Sequence, residues 1–283
     1  ALYRILRLLV SLGVFEQVGP RRFALNPSGD LLRRGVQGSM HPIAHFLPDP
    51  THFRVYANLL DSVRTGAPAF DTTLGKPLFE FLANDPSYSA IFNDAMTAIS
   101  TPAAAAAVAA YDFTRFGVIV DVAGGHGEVL AAILRASPGS RGVLAEIDHV
   151  AAGARERIAT LGLGGRCDAV ACDFFKAVPP GGDAYVMKHI IHDWDDDRSL
   201  TILRNIAQAM GDKRGTIVLL ETVIPEGDEP DPGKFIDIEM LAFPGGKERT
   251  AHEFRVLFDE AGFDLTRVVT TKSPLSVVEA VRR

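Results

Sequence analysis

The stretch Val118-Ile-Val-Asp-Val-Ala-Gly-Gly-His-Gly127, running into Glu128–Ala136, decides how the chain reads. Val118–Val122 has the character of a short buried strand, a glycine turn follows, and an apolar helix opens at Glu128. Glycines at such a turn let the backbone approach a ligand closely, and the helix start offers unpaired N–H groups. Glu146 ends the next predicted strand, Gly142–Glu146. A carboxylate there can accept both hydroxyls of a ribose. These features point to an adenosine-type cofactor on a Rossmann-like sheet.

A dinucleotide turn asks for Gly-x-Gly-x-x-Gly. Gly125 and Gly127 supply the first pair, but Leu130 fills the third place. The turn lacks the spacing that seats a pyrophosphate, which a cofactor such as S-adenosylmethionine does not need.

Working outward, strands are predicted at Asp168–Cys172, Ala184–Lys188 and Thr216–Glu221, and helices at Ala151–Leu161, Asp196–Met210 and Ala251–Ala261. The alternation predicts an α/β, mostly parallel, doubly wound sheet. Two final strands, Leu265–Thr271 and Ser276–Ala280, are expected to close one edge antiparallel. Upstream, residues 40–110 read as mainly helical. Asp85-Pro86 is a helix start, an apolar face follows through Ile91, Phe92, Ala95, Met96 and Ile99, and Pro102 restarts the chain before an Ala-rich helix. Leu2–Leu12 reads as an apolar helix ended by Gly13, and Val14–Val18 with Arg22–Leu25 as a hairpin. Helix then hairpin is the tail of a winged helix. Asn26–Gly29 reads as a turn and Asp30–Arg34 as a short helix. The expected division is residues 1–105, a winged-helix and helical dimerisation and substrate-pocket unit, and residues 106–283, the cofactor-binding unit. The chain starts without Met inside a helical pattern, so an N-terminal piece is expected to be missing.

Composition narrows the function. The 283 residues carry 29 Lys+Arg against 35 Asp+Glu, a formal charge of −6, with no basic stripe of the kind nucleic-acid binders present. Two cysteines, Cys167 and Cys172, make neither a disulfide framework nor a four-thiolate zinc site. The longest small-and-apolar run, Ala103–Ala110, is far short of the ~20 residues of a membrane span. The expectation is a cytoplasmic protein with no nucleic-acid or membrane partner.

Three further segments, Cys172-Asp-Phe-Phe175, Met187-Lys-His-Ile-Ile-His-Asp-Trp194 and Gly245-Gly-Lys-Glu-Arg-Thr250, accompany the glycine turn. In this order they resemble the S-adenosylmethionine-dependent O-methyltransferases of the caffeate type, whose bacterial members methylate natural-product hydroxyls. The resemblance spans essentially the whole chain. It implies a Rossmann-like class I methyltransferase sheet behind a winged-helix dimerisation domain, a homodimer, a small-molecule acceptor, and S-adenosylhomocysteine as product. It also implies site residues. Gly124 and Gly125 would border the methionyl part of the cofactor, Glu146 would hold the ribose, and Asp173 would accept from the adenine amino group. Phe174 or Phe175 would stack near the ring, and Lys188 would bound the pocket. His192 would be the general base with Glu221 and Glu248 flanking it, and Met96 and Met240 would line the acceptor pocket. Two departures stand out: Ala123 replaces the first glycine of the turn, and His189 stands where plant members often have Trp, which bears on the acceptor pocket.

Blander readings compete. Met96 and Met240 could be core fillers. Glu221 could be a strand-end carboxylate and Glu248 a loop charge. His189, His192 and Asp193–Asp197 could suggest a metal, but the acids suit the first turn of the next helix, and no metal is expected. Two other functions share these features: a family member turned to decarboxylation or hydroxylation, and a cofactor-sensing winged-helix regulator that binds DNA. The presence of His192 argues against the first, and the apolar first helix against the second.

Overall fold

The computed structural model describes residues 1–283, apart from the side chain of His149. The amino-terminal part comprises α1 (Leu2–Ser11), the hairpin β1 (Phe15–Gly19) and β2 (Arg22–Leu25), α2 (Pro27–Asp30), α3 (His41–Phe46), α4 (Pro50–Ala57), α5 (Leu59–Thr65), α6 (Ala69–Leu74), α7 (Leu78–Asn84) and α8 (Pro86–Ala110). Then follow β3 (Val118–Val122), α9 (Glu128–Ala136), β4 (Arg141–Glu146), α10 (Asp148–Thr160), β5 (Cys167–Ala171), β6 (Ala184–Lys188), α11 (Asp196–Met210) and β7 (Thr216–Glu221). The chain closes with α12 (Pro232–Ala242), α13 (Ala251–Glu260), β8 (Phe263–Thr270) and β9 (Ser276–Arg282).

β3 to β9 form one seven-stranded sheet in the order β5-β4-β3-β6-β7-β9-β8. The first five are parallel, and β9 pairs antiparallel with both β7 and β8. The inner strands β3, β6 and β7 are almost wholly buried because both faces are covered. One face packs with Ala104 and Ala107 of α8, Ile133 and Leu134 of α9, and Ile158 of α10. The other packs with Ile202, Leu203 and Ile206 of α11 and Phe254 and Phe258 of α13. Each of the Ile, Leu and Phe side chains contributes roughly 1.5–3 kcal/mol through burial. The order reverses between β3 and β6, which places a ligand crevice outside their carboxyl ends.

The predicted α/β sheet is present, with element ends shifted by a few residues. Three readings of the helical parts are corrected. The segment read as a turn at Asn26–Gly29 is helix α2: the Asn26 side chain accepts from Gly29 N at 2.9 Å and Pro27 takes the first helical position. Of the predicted helix Asp30–Arg34 only Asp30 is helical, as the last residue of α2, and Leu31–Arg34 is turn and bend. Pro102 does not restart the chain but lies inside the continuous 25-residue α8. Packing on both sides of it outweighs the lost hydrogen bond: Ala95 is buried in the helical unit and Ala103, Ala104 and Ala107 against the sheet. α12 was not anticipated, although Asp231 caps it and Pro232 opens it.

Candidate active site

The site forms where the parallel strands end. After β3 the backbone turns through Ala123 (φ 56°), Gly125 (φ 58°) and Gly127 (φ 82°). Gly124 and Gly125 serve different ends. A Cβ on Gly124 would meet Asp121 Oδ2 at 2.3 Å and Leu144 Cδ1 at 2.5 Å, so Gly124 lets the turn close onto the sheet. A Cβ on Gly125 would project into open space, so its freedom serves the left-handed backbone and the approach from outside. Ala123 adopts the same left-handed region despite its Cβ.

Glu146, at the end of β4, accepts from Gly125 N at 3.0 Å and from Ile147 N at 2.9 Å. Its carboxylate thereby stands at the lip of the glycine turn, held by backbone groups. Asp173, just beyond β5, is exposed and pairs with Lys176 Nζ at 2.8 Å, which holds its carboxyl below the usual range. Phe174 and Phe175 lean on each other at 4.7 Å, and Phe175 meets Trp194 edge on at 4.8 Å. Lys188 ends β6 and donates to Ser100 Oγ of α8 at 2.7 Å. Burial lowers the Lys188 pKa against the pull of Glu221, Asp121 and Asp193. Asp121 lies inside β3, and the sequence reading gives it no role of its own. It is 1% exposed, one of its oxygens has no partner among the described residues, and burial pushes its carboxyl up to about 7.

Four residues past the end of β6 comes His192, buried in a short 3-10 turn, Ile191–Asp193. Its Nδ1 lies 2.8 Å from Glu248 Oε1 and 3.8 Å from Glu221 Oε2, and its Nε2 lies 3.5 Å from Asp193 Oδ1. The two flanking glutamates therefore differ. Glu248 makes the hydrogen bond to the ring. Glu221, at the end of β7, accepts from the backbone N–H groups of Ile190 and Ile191 at 3.1 and 3.0 Å and so fixes the turn that carries the ring. Burial alone would push the His192 pKa down, but Glu221, Asp193 and Glu248 outweigh it and raise it to about 9. Burial raises the Glu221 carboxyl, with His192 opposing. His189 has φ 52° and stacks on His192 with ring centres 4.8 Å apart and planes 7° from parallel. Burial, and then the His192 and Lys188 charges, lower its pKa well below that of a free imidazole.

The Gly245–Thr250 segment is explained by what it touches. A Cβ on Gly246 would fall 1.9 Å from the His192 carbonyl oxygen, and Lys247 N donates to that oxygen at 2.9 Å. Glu248 N donates to Asp237 Oδ1 of α12 at 2.8 Å. Arg249, 1% exposed, donates to the carbonyls of Ile191 and Trp194 at 3.1 and 3.0 Å. Thr250 and Glu253 form a capping box that starts α13. Sequence reasoning gave neither Arg249 nor Asp237 a role; the density of charge around Glu248 is the available signal.

Met96 packs on an aromatic cluster of the helical unit that includes Phe46, Tyr88 and Phe243, and Met240 is half-buried on α12. His192, Glu221 and Glu248 bring possible ligand atoms within 4.8 Å of one another. Among these, His192 Nδ1 already sits at hydrogen-bond distance from Glu248.

A glycine turn open at Gly125, a carboxylate at its lip and a buried imidazole–carboxylate pair beyond the end of β6 have the character of an α/β enzyme that binds a nucleoside-type cofactor. The donor set suits S-adenosylmethionine, since Glu146 and Asp173 offer acceptors for hydroxyl and amino groups. Residues 56–264 match the O-methyltransferase domain family, and the chain belongs to it. It is 43% identical to a phenazine O-methyltransferase of Lysobacter antibioticus over 279 residues, covering 99% of this chain and 81% of that protein. It is 38% identical to a mitomycin biosynthesis 6-O-methyltransferase of Streptomyces lavendulae over 285 residues, covering 100% and 80%. A solved O-methyltransferase from neocarzinostatin biosynthesis, in complex with S-adenosylmethionine and 2-hydroxy-5-methyl naphthoic acid, superposes with a TM-score of 0.80 at 32% identity, covering 99% and 84%. The chain is an S-adenosylmethionine-dependent methyltransferase with the α/β class I methyltransferase fold. Among the described residues no helix is long and apolar enough to cross a membrane.

Proposed function

We propose that the chain methylates a phenolic or enolic hydroxyl of a small natural-product acceptor by in-line displacement, with His192 as general base. The observation that carries this reading is the buried 2.8 Å pair between His192 Nδ1 and Glu248, which leaves Nε2 as the ring nitrogen for an acceptor proton. S-adenosylmethionine, when bound, supplies a methyl group on a sulfonium, already a good leaving group. The residues then align the acceptor and take its proton. A phenol of pKa ~10 is mostly protonated at neutral pH, and an imidazole whose conjugate acid lies at about 9 takes that proton in a nearly balanced transfer. Glu248 fixes the tautomer and stabilises the imidazolium, Glu221 holds the supporting backbone, and His189 supports the ring face. Gly124, Gly125, Glu146, Asp173, Phe174, Phe175 and Lys188 form the cofactor side, and Met96, His189 and Met240 the acceptor side. The family match and the named activities of the relatives support this reading. No observation favours the decarboxylase or hydroxylase reading or the DNA-binding one. The direct test incubates the protein with S-adenosylmethionine and phenolic acceptors. A product heavier by one methyl on oxygen is expected, and its absence across phenazine, naphthol and quinol acceptors would count against the reading.

We also propose that residues 1–105 and 106–283 act as separate units, with α1, β1 and β2 as the tail of a winged helix serving a homodimer. α1 and its C-cap leave Leu2, Ile5, Leu8 and Leu12 between 55% and 68% exposed, an apolar stripe suited to a second copy of the chain. Light scattering is expected to give a dimer, and Leu8→Glu a smaller species; a monomeric wild type refutes this assembly.

A further inference from the structure

Arg249 is the bulkiest of the fully buried side chains. A cation in the interior is costly unless it is paired and hydrogen-bonded. Its one carboxylate partner among the described residues is Asp196, 2.8 Å away at the start of α11, and that side chain is 53% exposed. Its remaining donors go to neutral groups. Nη1 donates to the carbonyl of Ile191 at 3.1 Å, and Nη2 to the carbonyl of Trp194 at 3.0 Å and to Ser199 Oγ at 3.2 Å. Ile191 and Trp194 stand on either side of His192. The guanidinium therefore spends most of its hydrogen bonds on one stretch of backbone.

That stretch cannot satisfy itself. Asp193 N and Trp194 N donate to the carbonyls of Ile190 and Ile191, but a 3-10 turn this short needs outside partners for the rest. The two sets of groups meet opposite charges. Glu221 accepts the N–H groups of Ile190 and Ile191, while Arg249 and the backbone N–H of Lys247 cover the carbonyls of Ile191, Trp194 and His192. Arg249 is itself anchored, since its carbonyl accepts from Ile224 N at 3.1 Å just beyond β7. The ring it supports faces Glu221 from β7, Glu248 from the segment before α13, Asp193 from its own turn and His189 from the end of β6.

We propose that Arg249 is a positioning residue for the reaction: it grips the carbonyl side of the turn that carries His192, as Glu221 grips the N–H side, and so keeps the imidazole on Glu248. A planar fork reaches two carbonyls and a carboxylate at once, which an ammonium does not. Misplacing a reacting group by about 1 Å can cost about 10²-fold in rate, so the grip bears on turnover. The effect on rate rests on the general-base reading above; the effect on the ring does not.

The test is titration of the His192 ring by NMR in the full chain with labelled histidine, the signal assigned with His192→Ala. The wild-type ring is expected to titrate near about 9. Arg249→Lys keeps the charge, so only the lost grip moves the ring. Its proton affinity should fall about tenfold there, the size of one loosened bond to a carboxylate. The single-turnover rate per cofactor-binding site should fall by about tenfold or more, on whichever of the phenazine, naphthol and quinol acceptors is turned over, with S-adenosylhomocysteine affinity unchanged. Asp196→Ala takes the carboxylate off the guanidinium at an exposed position, so it keeps a folded variant in hand; it should move both readings the same way by about threefold. An arginine that only stabilises the fold would lower the melting temperature and the number of binding sites, and nothing else. Wild-type ring titration and wild-type rate per site in every folded variant overturn the proposal. A ring that shifts as expected while the rate follows another group counts against the general-base reading alone and leaves the grip on the turn standing.

Discussion

The two halves of the crevice are built on opposite principles. On the β3–β4–β5 side the carboxylates are accessible and lightly held: Glu146 rests on two backbone N–H groups and Asp173 on an exposed lysine. Such bonds exchange at little cost for those of a ligand. On the β6–β7 side the carboxylates are buried, Glu221 at 0% and Glu248 at 2% exposure, and they face an imidazole in a low-dielectric setting. Under the proposed function, the first half binds the cofactor and the second handles the acceptor proton. One sheet carries both because its order reverses between β3 and β6, which brings the two kinds of strand end together.

The comparison can be broken from either side. The larger effect is expected on the buried side. Glu248→Gln should lower kcat by about 10²-fold with cofactor affinity unchanged, because an amide no longer stabilises the imidazolium while Glu221 still faces the ring. Steady-state kinetics with calorimetric cofactor binding checks this, and a variant that loses cofactor affinity but keeps kcat would invert the assignment. A smaller effect is expected on the accessible side. Glu146→Gln should weaken S-adenosylmethionine binding by about tenfold and leave kcat at saturation nearly unchanged. A fall in saturated kcat with unaltered cofactor affinity would place Glu146 in the chemistry instead.

The same division governs what the sequence reveals. The glycine turn, Glu146 and the β3–α9 unit are legible because their residues are neighbours in the chain and obey local rules. His192 and Glu221 are singled out by the family resemblance, and both lie at or just past strand ends. What holds Glu248 is not: Asp237 lies on α12, and that helix begins with the same Asp-Pro signal at Asp231-Pro232 as at Asp85-Pro86, in a stretch of mixed charge that masks it. Arg249 and the carbonyls of Ile191 and Trp194 lie further apart still along the chain, and no spacing rule joins them. Pro102 shows the converse, a local stop signal overridden by packing on both sides.

The central claim is that His192 removes the acceptor proton, and the pH dependence of single-turnover methyl transfer tests it most directly. The His192 pKa is raised above the ordinary 6.5 to about 9. The protonated form is thus favoured at neutral pH, and the pairing adds stability that is complete below about 6.5 and fades as pH rises through about 9. A base must be neutral, so the wild-type rate is expected to climb with pH and level near 9, with cofactor affinity flat over the range. In His192→Ala the rate should drop by about 10²–10⁴-fold and that inflection should vanish. A His192→Ala variant that keeps both the wild-type rate and the inflection would contradict the account.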